Sequence, residues 1–264
     1  MNRFLKQFLF LGMLVLIIGV AVFLVYRETF FPAASCLDGI QNQNEEGVDC
    51  GSVCGISCEQ KYPKELSYSN VKFFKVGDLV SVVFDLDNLN QSLGLKTFKY
   101  KIDFYGFADK LLGSTEGTSF IYPNQSKESA DWDNKSKKIV DAGKKIIGEV
   151  TSVRISFSSL DWKSASEFRS IKLDNINAKT TKDGDFYAVS GTLKNLYSFV
   201  IPQTTIDALL MDKSGNILGA SKTDITNLLP FEDRDYRVLI QIDKSQESNV
   251  NFSGTRLFIY PVNL

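Results

Sequence analysis

The chain has 264 residues, four cysteines, no histidine and a formal net charge of −1. So balanced a charge offers no global attraction to nucleic acid or to an anionic surface. The missing histidine removes the commonest general base and the commonest metal ligand together.

The first element is MNRFLKQFLFLGMLVLIIGVAVFLVYRE. Phe8 to Tyr26 carry no charge, and nineteen helical residues at about 1.5 Å each come close to the ~30 Å hydrocarbon core of a bilayer. Arg3 and Lys6 precede the run, and only Arg27, beside Glu28, follows it closely. The positive-inside rule therefore predicts a cytoplasmic tail over 1–7, a transmembrane helix over 8–26 and an extracytoplasmic remainder. The apolar run is too long for a signal-peptide core, and no small-x-small site follows it directly. PAASC, residues 32–36, loosely matches a lipoprotein cleavage site but stands beyond Arg27 and Glu28 and lacks the usual aliphatic residue. Gly12 and Gly19 are not at GxxxG spacing, which leaves a packed transmembrane dimer without support. The expectation is an uncleaved signal-anchor: a single-pass protein of the cell membrane.

Next comes CLDGIQNQNEEGVDCGSVCGISC, residues 36–58, which holds all four cysteines. Outside the membrane, an even number of cysteines in a short segment reads as a disulfide framework. Cys36, Cys50, Cys54 and Cys58 allow three connectivities, which the sequence does not separate. Two bridges would supply the stability that so short a segment cannot obtain from a core. The cysteine spacing does not match the paired C-x₂₋₄-C of a zinc site. Oxygen ligands are dense in the same stretch. Asp38, Asn42, Asn44, Glu45 and Asp49, with Glu46, form a candidate calcium (Ca2+) set, although not at EF-hand spacing. The plainer alternative is a solvated acidic loop.

This stretch resembles a short Cys-x-Asp-Gly-x-x-Asn-x-x-Glu-x-Gly-x-Asp-Cys-Gly module of bacterial secreted and surface proteins. The matching residues are Cys36, Asp38, Gly39, Asn42, Glu45, Gly47, Asp49, Cys50 and Gly51, with Ser52 in place of the usual second glycine. The resemblance implies an extracellular stalk over 27–62 rather than an active site.

After a polar hinge at Pro63 the texture becomes that of strands. LVSVVFDL (79–86) and FKYKIDF (98–104) lead, followed by SFIYP (119–123) and SVRISF (152–157). In FKYKIDF, Phe98, Tyr100, Ile102 and Phe104 alternate with Lys99, Lys101 and Asp103, as in a half-buried strand. The stretch from Lys137 to Ile147 fits neither a helix nor a strand clearly.

A long repeat follows. Leu-x-Asn-Leu occurs at Leu86–Leu89 and again at Leu193–Leu196, Leu-Gly at Leu112–Gly113 and Leu218–Gly219, and a proline at Pro123 and Pro230. The offset of 106 or 107 residues matches one immunoglobulin-like sandwich. Turn signals at Asp183-Gly184 and Ser214-Gly215 support two tandem β-sandwiches, over 63–164 and 165–264. The expected fold is therefore mainly β, after one transmembrane helix and a disulfide-rich segment. The second copy resembles the FxLyD domain of bacterial and archaeal envelope proteins, through Gly191, Leu193, Asn195 and the strand-ending Asp212. Ala208 and Met211 stand where that family's naming aromatics would be, and Gly106 takes the aspartate's place in the first copy. The resemblance implies a non-catalytic sandwich and brings no functional residues with it.

Motifs of catalysis are missing: no Gly-x-Ser-x-Gly, P-loop, dinucleotide-binding glycine pattern or His-Glu-x-x-His occurs. Asp183 with Asp185, and Glu232, Asp233 and Asp235 around Arg234, lie beside turn signals and read as solvated loops. Lys135, Lys137, Lys138, Lys144 and Lys145 read as a solvated strand edge that discourages aggregation, or as a contact for an anionic envelope polymer or lipid head group. Asn90, Asn124, Asn134 and Asn251 each begin an Asn-x-Ser sequon. The functional expectation is a non-catalytic, membrane-anchored extracytoplasmic binding or structural protein of the prokaryotic envelope. It would work with a protein or polymer partner and not with nucleic acid. The alternatives are a carrier or sensor of an apolar ligand and an accessory subunit of a larger envelope complex.

Overall fold

The computed structural model describes residues 3–30, 36–42, 44–124, 136–169 and 171–262. The chain divides into two compact units, Met1–Pro63 and Lys64–Leu264.

The first unit begins with helix α1 (Arg3–Phe30). Its Lys6–Phe30 stretch contains an 18-residue window with a mean hydropathy of 3.1 and leaves its apolar side chains uncovered by protein, as a candidate membrane span does. The cysteine segment is closed by two disulfides, Cys36–Cys54 and Cys50–Cys58. Of the three connectivities this is the interleaved one. A one-turn helix, α2 (Cys58–Lys61), ends the segment behind a capping box. The Ser57 hydroxyl accepts from the Gln60 backbone N–H while the Gln60 side chain accepts from that of Ser57.

The second unit is built from strands. The first half contains β1 (Ser67–Val76), β2 (Leu79–Asp87), β3 (Leu93–Tyr105), β4 (Leu111–Ile121), β5 (Ser136–Lys145), β6 (Ser152–Ser158) and the short β7 (Trp162–Ser164). The second half contains β8 (Asp174–Asp183), β9 (Phe186–Lys194), β10 (Ile201–Asp212), β11 (Ile217–Leu228), β12 (Asp233–Ile240) and β13 (Val250–Pro261). All pairings are antiparallel. The ambiguous stretch after Lys137 is strand β5, paired with β2 from Leu79–Lys145 to Asp87–Ser136.

The two halves share one topology. Sheet order β1-β2-β5 faces β4-β3-β6 in the first, and β8-β9-β12 faces β11-β10-β13 in the second. Each pair of sheets closes on its own core. Phe84, Leu95, Tyr100, Ile102 and Phe104 fill the first, and Tyr187, Leu193, Ile201, Ile206 and Leu210 fill the second. The alternation in FKYKIDF points Phe98, Tyr100, Ile102 and Phe104 inward, as the period of two requires.

A third apolar cluster joins the sandwiches to each other. Val83 of β2 and Val140 of β5 pack with Leu209 and Met211 of β10 and Ala220 of β11. The unit is thus four sheets deep, with β1-β2-β5 and β11-β10-β13 as the inner pair.

Candidate functional site

In the cysteine segment the acidic side chains are spent on local hydrogen bonds. The Asp49 carboxylate accepts from the backbone N–H groups of Asp38 and Gly39, both at 3.1 Å, and from the Lys61 ammonium at 2.9 Å. The Lys61 contact, joined by those two amides, holds Asp49 below the usual carboxylate range, and Asp49 in turn raises Lys61. Glu45, buried, accepts from the backbone of Asn42 and Asp49. Asp38 accepts from Ile40 N–H and from the Asn42 side-chain amide. Asn44 is exposed in a left-handed turn, with φ 62°. One grouping of three potential ligand atoms forms here, the Glu45 carboxylate with the Cys36 and Cys54 sulfurs, and those sulfurs are joined to each other. They offer no thiolate to a metal. Asp38, Glu45 and Asp49 of the candidate calcium set thus accept local hydrogen bonds, and Lys61 pairs with Asp49.

The second site lies between the sandwiches, where β5, the edge of its sheet, leaves space beneath β3 and β4 and the second sandwich closes it. The cavity there has a volume of about 260 Å³. Its first wall, from the first sandwich, carries Lys96, Thr97 and Tyr100 of β3, Thr118 and Ser119 of β4 and Lys137 of β5. Its second wall carries Gln203, Thr205 and Asp207 of β10 with Lys222 and Asp224 of β11. Asp207 and Lys222 are direct cross-strand neighbours, as are Thr205 and Asp224.

Lys137 is 8% exposed, which corrects the solvated-edge reading of the lysine run. Its ammonium donates at 3.0 Å to Ser119 Oγ and to the Phe120 carbonyl, and lies 3.4 Å from the Phe120 ring centre and 4.7 Å from that of Tyr260. Burial pulls its pKa down to about 7, against the charge of Asp207, which favours the cation. Lys138 turns the other way, forms an ion pair with Asp85 and lies over Phe258. Lys144 and Lys145 are exposed as expected, and Lys135 lies outside the described residues.

Asp207 is 2% exposed, and burial pushes its carboxyl up to about 7. Among the described residues its Oδ1 has no hydrogen-bond partner. Lys222 reaches Tyr100 Oη at 3.4 Å, and Tyr100 donates at 2.9 Å to Asp141. That placement of Tyr100 depends on Gly117 opposite it on β4, where any Cβ would run into the phenol. Asp224, at the rim, accepts from the Thr205 hydroxyl at 2.6 Å and the Gln203 amide at 3.3 Å.

The other carboxylates singled out by sequence sit in surface ion pairs: Asp183 with Arg237, Asp185 with Lys244, Glu232 with Arg234 and Asp233 with Lys194. Asp235 accepts from the Thr192 hydroxyl. Asp212 closes its turn by accepting from the backbone of Ser214 and Asn216. Of the sequons, Asn90 is fully buried and bonded to the backbone of Lys64, so it is closed to modification in the folded chain. Asn134 lies outside the described residues.

Sequence reasoning missed Asp207 and Lys222. The available signal was a charged residue in an otherwise apolar stretch, Asp207 in IDALLM of β10, at a position whose same-face neighbours Leu209 and Met211 also point out of the second core. No protein-family model matches this chain, and no curated protein matches it.

Proposed function

We propose that this chain is a non-catalytic binding protein of the prokaryotic cell envelope, anchored by its N-terminal helix, with its sandwiches outside the membrane and its ligand site in the cavity between them. The observation that carries the binding reading is the cavity itself, to which two successive domains contribute charged walls of different character. Sites of this kind form preferentially at domain interfaces. The charge-free span of α1 and the two disulfides support the anchored, extracytoplasmic placement. The shared six-strand order supports reading both domains as immunoglobulin-like.

Polar lining favours a polar ligand over an apolar one. The contact that would favour catalysis is Lys137 with Ser119, since a neutral lysine can activate a serine. Here the lysine also donates to a carbonyl and lies against two ring faces, contacts that favour the cation against the burial that lowers its pKa. We therefore read Ser119 as an acceptor.

Two measurements test the reading. Protease added to intact spheroplasts should remove the sandwiches while leaving the N-terminal helix in the membrane; full protection would refute the topology. Protein purified in native membranes and then denatured should release a small molecule visible by mass spectrometry. A Thr118→Trp variant, with the cavity plugged, should release less. Equal release from both would remove the cavity from the function.

A further inference from the structure

We propose that the cavity between the sandwiches takes a small zwitterion, a molecule of free amino-acid type, with its carboxylate toward Lys137 and Lys96 and its ammonium toward Asp207 and Asp224. The proposal rests on the binding reading above and adds the chemical class of the ligand.

The first argument is the presence of both signs of charge. Lys96 and Lys137 come from the first sandwich, and the second supplies both carboxylates together with Lys222. A lone anion would meet Asp207 and Asp224, and a lone cation would meet the lysines. A neutral polyol would leave both signs unmatched. A molecule carrying one charge of each sign matches both walls at once.

The second argument is the unmet acceptor. Among the described residues Asp207 Oδ1 is buried without a donor, and leaving a buried acceptor unpaired is costly. Lys222, its cross-strand neighbour, is drawn instead toward Tyr100. Lys137 interacts with Asp207 through its charge but gives its hydrogen bonds to Ser119 and Phe120. An incoming ammonium would supply the missing donor, and a carboxylate would face Lys137, whose hydrogen bonds go to neutral acceptors.

Size is the third. At about 260 Å³ the cavity falls below the roughly 300–1,000 Å³ of sites for drug-sized ligands. Its apolar lining is limited to a few side chains such as Ile139, Val140 and Val262. A small amino acid fits that description.

The test is isothermal titration of the full chain in detergent at pH 7 with glycine and L-alanine. Methylammonium, acetate and glycerol serve as single-charge and neutral probes at matched ionic strength. The expected result is saturable binding of a zwitterion, at least tenfold tighter than either half-molecule or glycerol. It should weaken at least tenfold in Asp207→Asn, a near-isosteric change whose folding is checked by its melting curve. If glycerol, acetate or methylammonium binds as tightly, or binding survives Asp207→Asn unchanged, the zwitterion proposal is overturned. Absence of binding by folded protein overturns it as well. The mass-spectrometric release test then separates the two readings: a released molecule that is not a zwitterion leaves the binding site standing without this ligand, and no release removes both.

Discussion

Asn88 and Asn195, 107 residues apart, hold the same place in the two sandwiches and make the same hydrogen bonds. The Asn88 amide donates to the carbonyls of Leu93 and Tyr122, and its oxygen accepts from the N–H of Asn90. The Asn195 amide donates to Phe199 and Leu229, and its oxygen accepts from Tyr197. Tyr122 and Leu229 are themselves 107 residues apart, so the repeated Leu-x-Asn-Leu is a clamp that ties the end of one strand to the chain leaving another.

Both asparagines are buried, and removing either amide takes the side-chain donor from two carbonyls. Each group left unpaired costs roughly 1–3 kcal/mol. Asn88→Ala and Asn195→Ala should therefore each destabilise the folded chain by about 3 kcal/mol in urea unfolding of the detergent-solubilised protein. Asn→Asp should recover little, because a carboxylate cannot donate. A loss well under 1 kcal/mol would mean that solvent reaches these carbonyls.

The tandem architecture was legible because inward strand positions and turn residues repeat with the domain. Contact between the domains was not, because it depends on what differs between the copies. By strand register, Leu209 and Met211 of β10 stand where β3 has Asp103 and Tyr105. Val83 and Val140 likewise stand where the second copy has Ser190 and Arg237. Each docking face is thus apolar in one copy and polar in the other. Comparing the copies position by position on their outward faces would have exposed the interface, and with it Asp207. The disulfide pairing had no such signal, since it depends on how the backbone turns between Cys36 and Cys58.

The interface should couple the two sandwiches thermodynamically. Leu209 is 1% exposed, and a buried Leu→Ala change typically costs about 2–5 kcal/mol. Leu209→Ala should fall in that range. Leu209→Asp should go further and split one unfolding transition of the sandwiches into two, seen by calorimetry. A single transition in Leu209→Asp would mean that the apolar cluster does not carry the coupling.

In the cysteine segment, Asp49 has its pKa lowered by Lys61 and the Asp38 and Gly39 amides, and Lys61 has its own raised. The lowered carboxyl contributes stability above its ordinary value near 4, and this is lost as pH falls through the depressed folded value. The raised ammonium contributes below about 10.5 and its share is lost at higher pH. Protease cleavage within 36–62 should stay slow from about pH 5 to 9 and quicken at pH 3. Reducing the disulfides should quicken it at every pH, while the sandwiches' melting temperature stays unchanged. Resistance that persists at pH 3 would make the disulfides alone sufficient.

The buried pair gives the sandwiches a pH dependence of opposite slopes. Asp207 titrates near 7 when folded, against about 3.9 unfolded, so between those values the folded chain keeps a proton that the unfolded chain has lost. Stability there falls as pH rises. Lys137 titrates near 7 when folded, against about 10.4 unfolded, so above 7 the unfolded chain holds the extra proton and stability rises with pH. Lys222 and Asp224 act on both groups with opposite signs, and burial raises the phenols of Tyr100 and Tyr260, which places their titration above this window. The melting temperature should therefore pass through a minimum near pH 7 between about pH 5 and 9. Lys137→Met with Asp207→Asn should flatten that minimum, since both groups are then neutral at every pH. Lys137→Met alone should be less stable than the double variant at pH 8, because it leaves the Asp207 carboxylate buried without its cation. A flat profile in the unaltered protein would show that the pair stays ionised throughout, held together across the cavity by water or by a retained ligand.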